Sequence, residues 1–105
     1  NYGNDTLQKD LRMFRAFDEL SQSFGTNRLT CLQQMAQLIV SRAMKGGFLN
    51  SKDFAQTFAF TIPYIKSNPR LKPLRKFRFI AACQGYYFLF RPFILIARKI
   101  RSVLL

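Results

Sequence analysis

The chain has 105 residues, with seventeen Lys and Arg, five Asp and Glu, and no His. That length supports one small domain, and an apolar share of 49% is too high for a disordered basic tail and sufficient for a core. Without His, the formal net charge of +12 hardly changes between pH 5 and 8, and imidazole-based metal sites, catalytic triads and general bases are excluded.

Cys31 and Cys83 lie far apart and form no CxxC pair. A zinc cluster is therefore excluded, and no disulfide framework is expected. Two reduced thiols packed in a core are the expectation, which fits an intracellular, reducing compartment such as the cytoplasm or an organelle matrix. The first residue is Asn1 rather than Met, and no leader pattern follows it. The chain reads as a processed or trimmed product, or one whose start is missing.

Charge is divided unevenly. Residues 1–62 hold seven bases and five acids, whereas residues 63–105 hold ten bases and no acid. Five carboxylates cannot neutralise ten cations, so the surplus faces water, a polyanion or an anionic membrane surface.

In chain order, residues 5–24 are predicted to form a helix capped by Asp5 or Thr6, with Leu7, Leu11, Phe14, Phe17, Leu20 and Phe24 on one stripe and Gly25 at its end. A second helix over 29–44 presents Leu29, Leu32, Met35, Ala36, Leu38, Ile39 and Ala43 inward and ends at Gly46-Gly47. A third, over 51–62, is capped by Asn50 or Ser51 and closed by Pro63. Residues 63–73 contain three of the four prolines and read as an extended connector with polyproline character. Pro73 then sits where a helix begins. Residues 74–90 form a fourth helix that is apolar on nearly every side after Arg78, Pro92 forces a kink or a new start, and residues 93–104 form a fifth helix. The expected fold is a small all-α bundle of about five helices in one domain, with a near-neutral part over 1–62 and a strongly basic part over 63–105.

The leading candidate site is Arg70, Lys72, Arg75, Lys76 and Arg78, with Lys66 just before it. Cations at a helix start oppose the macrodipole, while free N–H groups there favour an anion; a bound phosphate resolves both features. Arg98, Lys99 and Arg101 form a second basic group, late in the last helix, where cations already suit the dipole. Arg91, set between Phe90 and Pro92, is expected to snorkel or to pair with a carboxylate. Tyr64, placed in the connector, is a candidate platform for stacking a base, whereas Tyr86 and Tyr87 are expected to pack in the core.

Catalysis finds no support in these residues. Asp18 and Glu19 are adjacent, so on a helix they point about 100° apart and make no facing acid–base pair. Gly46-Gly47 lacks the frame of a phosphate-binding loop. No enzyme activity and no cofactor are expected.

The stretch FRFIAACQGYYFLF, Phe77 to Phe90, resembles the last helix of the small helical subunits of multi-subunit CRISPR effector complexes. That resemblance implies a subunit lining a guide–target path and contacting nucleic-acid backbone, and it assigns no individual residue. The apolar extension from Pro92 to Leu105 departs from that family's pattern. The expectation is a subunit of a larger ribonucleoprotein that binds RNA or a single strand through phosphate contacts, with protein neighbours on its near-neutral half. Gln33, Gln34, Gln37, Ser41 and Arg42 on the second helix leave helix-turn-helix DNA binding open. Two further alternatives are a membrane-associated subunit, in which the nineteen mostly apolar residues 79–97 contact lipid, and a structural assembly protein.

Overall fold

The computed structural model describes residues 2–47 and 49–104, and within the last helix the side chains of Arg91, Ile94, Arg98, Ser102 and Leu104 lie outside the description. The fold is all-α, a small bundle. In chain order, α1 is Asn4–Leu20, α2 is Asn27–Gly46, α3 is Ser51–Phe58, α4 is Ile62–Lys66, α5 is Pro73–Ala81 and α6 is Arg91–Leu104. Short 3-10 turns follow α1 (Ser21–Ser23) and α3 (Ala59–Thr61), while a π turn (Ala82–Tyr86) and a 3-10 turn (Tyr87–Leu89) join α5 to α6.

The centre of the bundle is α2. Leu32, Ala36, Ile39, Val40, Ala43 and Met44 recur at helical spacing and are all buried. The alanines present little bulk, so α1 and α4 approach closely, while the turn after α5 packs on α3. Gly47 ends α2 in the left-handed region, at φ +65, where its N–H donates to the Ala43 carbonyl. α3 starts as the sequence indicates: Asn50 Oδ1 accepts from Asp53 N–H at 2.9 Å, and Asn50 Nδ2 donates to Asp53 Oδ2 at 3.1 Å.

Opposite α2 lies an aromatic block. The Tyr87 ring stacks on Phe54 at 4.5 Å between centroids, and Phe54 meets Phe58 at 4.9 Å. Tyr87 is fully buried, and its hydroxyl donates to the Met44 carbonyl at 2.9 Å. That bond satisfies a carbonyl in the last turn of α2, where no intrahelical donor exists.

Three expectations are corrected. Pro63 does not close a helix; it occupies the first turn of α4, where a residue lacking an N–H leaves no helical bond unmade. The connector is therefore residues 67–72, a run of turns rather than an extended polyproline segment, and Tyr64 is helical. Second, residues 74–90 are not one helix. Gly85 takes φ +103, a conformation L side chains rarely adopt, and the helix breaks there. The apolar stretch 79–97 is thereby split among α5, two turns and α6, and no helix of the described residues is long and apolar enough to cross a membrane. Third, Leu20, Phe24, Leu29 and Leu38 are exposed rather than inward. The buried strips are narrower than the apolar stripes: Leu7 and Phe14 on α1 and Leu32, Ala36, Ile39, Val40 and Ala43 on α2 are covered, and the side chains flanking them, Phe17 included, face outward.

Candidate functional site

The basic segment is fastened to α2 by amides. Gln33 Nε2 donates to the Ser67 carbonyl at 3.1 Å and to Ser67 Oγ at 2.9 Å. The buried Asn68 donates from Nδ2 to Gln37 Oε1 at 3.4 Å, and its Oδ1 accepts the Arg70 N–H at 3.0 Å. Leu71 is buried one residue beyond Arg70. Asn68 and Leu71 thus pin the turn, and Arg70 and Lys72 are held outward on either side of Leu71, both exposed.

α5 begins at once. Lys72 occupies its N-cap in an extended conformation, without a side-chain cap, and Pro73 follows. Lys76 N–H already donates to the Lys72 carbonyl at 2.8 Å. The N–H groups of Leu74 and Arg75 have no intrahelical acceptor. One turn later the Arg75 guanidinium lies over the Phe79 ring at 5.5 Å, which orients that cation along the helix.

Between the start of α5 and the C-terminal half of α2 runs a groove of about 620 Å³. Met44, Leu71 and Phe79 supply apolar lining; Gln37 and Ser41 supply neutral polar groups; Lys45, Arg70, Lys72, Arg75 and Arg78 supply charge. No carboxylate lines it. Three of the chain's five acids are engaged elsewhere: Asp18 pairs with Arg28 at 2.5 Å, Asp10 with Arg42 at 3.4 Å, and Asp53 with Asn50. These partners all belong to the first 62 residues, and none of these pairs involves Arg70, Lys72, Arg75 or Arg78.

The sequence-predicted residues separate into groups. Arg70, Lys72, Arg75 and Arg78 line the groove together. Lys76, half-buried on α5, and Lys66, exposed at the end of α4, do not line it. Lys99 and Arg101 are exposed on α6, away from the groove lining, and the Arg98 side chain lies outside the described residues, as does that of Arg91. Tyr64 lines a different groove, of about 510 Å³, beside Arg15 and Asp18, with its ring edge-on to Phe14 at 5.8 Å. A base stacked on Tyr64 would therefore lie in a separate cleft from the cation-lined one. Tyr87 is core, as expected, whereas Tyr86 is half exposed.

Lys45 was not singled out by sequence reasoning, nor were Gln37 and Ser41 placed beside the basic cluster. Residues 37, 41 and 45 are spaced by four and share one face of α2, but that spacing does not say which element the face meets. The polar face of α2 is also partly occupied. Gln33 and Gln37 hold the 67–72 segment, which removes them from the role of a DNA-reading helix.

The two thiols differ. Cys83 is buried and lies 3.5 Å from Thr61 Oγ1; burial pushes its pKa up to about 11, against a smaller lowering by that contact. Cys31 is half-buried and, like Cys83, free. No protein-family model matches the chain, and no curated protein or solved structure matches it significantly.

Proposed function

We propose that the chain binds nucleic-acid backbone in the groove between α2 and α5, with single-stranded RNA as the favoured ligand, inside a larger ribonucleoprotein. The observation that carries this reading is the convergence of Lys45, Arg70, Lys72, Arg75 and Arg78 on a groove with no carboxylate in its lining. An exposed phosphate–cation pair gains only about 1 kcal/mol in water, so several cations in one place are what make a site. Phosphate contacts position a strand without reading its sequence. The groove offers no exposed ring for stacking, since Phe79 is buried beside Arg75, so recognition of bases is not part of the proposal. A single strand suits a concave groove better than a duplex, whose major groove receives a protruding helix.

Protein neighbours are proposed for the other end of the molecule. Phe17, Leu20, Phe24 and Leu29 are exposed together around the α1–α2 turn, in the half of the chain whose charge is nearly balanced.

The test is titration of a labelled single-stranded RNA across a salt series. Four or five phosphate contacts give a slope of log K against log salt of about −3 to −3.5. Absence of binding at low salt, or binding indifferent to salt, contradicts the proposal.

A further inference from the structure

α6 is the most amphipathic of the helices of eight residues or more, yet its apolar stripe has no partner among the described residues. Phe93, Ile96, Ile100 and Val103 are 73%, 55%, 52% and 78% exposed. They recur at steps of three, four and three, so they form one face. The helix is docked by a different face. Leu95 sits against Gly47, where a Cβ would come within 3.2 Å of it, and α6 otherwise packs on the Tyr87–Leu89 turn. At 100° per residue, Leu95 is turned about 120° from the centre of the stripe. The same rotation puts Lys99 about 80° from the centre, along one edge of the stripe, and Arg101 about 120° away on the far side from Leu95.

We propose that α6 is a membrane-surface helix that lies in the headgroup region of an anionic bilayer, stripe down, with Lys99 and Arg101 reaching the lipid phosphates. This is independent of the α2–α5 groove. Two observations select this occupant. An apolar face bordered by Lys99, on a helix whose only charged residues are Arg91, Arg98, Lys99 and Arg101, is the pattern of interfacial helices, in which long basic side chains snorkel to phosphate. A second copy of the chain is disfavoured because residues 63–105 carry no acid to answer their own bases.

The chain has no Trp, so Phe93→Trp supplies a single reporter on the stripe. The full chain is mixed with vesicles of phosphatidylcholine containing phosphatidylglycerol, and with pure phosphatidylcholine vesicles. The expected result is a shift of emission to shorter wavelength with the anionic vesicles and protection from an aqueous quencher. Ile96→Ser with Ile100→Ser in that background lowers vesicle affinity by about tenfold or more, while RNA binding stays unchanged. Arg70→Gln, Lys72→Gln and Arg75→Gln together leave the emission shift in place. Vesicle binding without a shift is adsorption by charge alone and overturns the proposal. So does a shift abolished by the groove variants, or a Trp already shielded in a dimer without lipid.

Discussion

Asn68 bonds in two directions: its Nδ2 donates to Gln37 Oε1 on α2, and its Oδ1 accepts the N–H of Arg70. One buried amide therefore fixes the turn on which the groove's first cation stands. Asn68→Ala leaves the Arg70 N–H without its acceptor and Gln37 without its donor, and is expected to cost about 1–3 kcal/mol of stability in urea unfolding. RNA affinity falls several-fold even though no cation has been removed. Unchanged affinity in a folded Asn68→Ala protein contradicts the positioning role.

Asp10 is buried, and its Oδ2 lies within ion-pair distance of Arg42 without forming a hydrogen bond. Removal of the cation strands a buried carboxylate. Arg42→Gln is expected to destabilise by about 1–3 kcal/mol, less than a fully buried pair would lose because Arg42 is half exposed. Adding Asp10→Asn recovers part of that loss, so the double-mutant cycle shows coupling between the two positions. Strict additivity in unfolding measurements contradicts the pairing.

Two groups make the fold sensitive to base. Burial, reinforced by the nearby Asp10 charge, raises the Tyr2 phenol from 10.0 to about 12, and burial raises Cys83 from 9.0 to about 11. Both hold their protons in the folded state at a pH where the unfolded chain has released them. Stability is complete below pH 9. It falls as pH rises, over 9–11 through the thiol and over 10–12 through the phenol. Tyr2→Phe removes the upper part of that decline with little cost at neutral pH, because its hydroxyl has no hydrogen-bond partner. Urea midpoints at pH 8, 10 and 11 measure this.

Thiol labelling separates the two cysteines. At pH 8, an alkylating reagent is expected to modify Cys31 in the native protein, and Cys83 only after unfolding, since Cys83 is both buried and far from its thiolate form. Native labelling of Cys83 at a comparable rate contradicts the packing of the π turn against α3.

Much of the architecture was legible in the sequence, because local signals and tertiary packing agree there. Asn50 with Asp53 opens α3, Gly47 closes α2, and the buried positions of α2 follow helical spacing. Pro63 and Gly85 were misread for a common reason. Proline is compatible with a first turn as well as with a stop, and glycine fits both a helix and a break. Only the packing of Tyr87 on Phe54, which requires the chain to turn at Gly85, decides between them. The basic half of the site was visible as a run of charge. Its α2 wall was not, because Lys45 joins the cluster through a contact between elements that no local spacing announces.

The central claim is that the site is the groove and not the net charge. Two variants with the same loss of charge test it: Arg70→Gln, Lys72→Gln and Arg75→Gln in the groove, and Lys66→Gln, Lys99→Gln and Arg101→Gln outside it. The predicted result is that the groove variant loses about 2 from the slope of log K against log salt for single-stranded RNA, while the outside variant keeps a slope close to that of the unmodified chain. Equal losses in the two variants contradict the account.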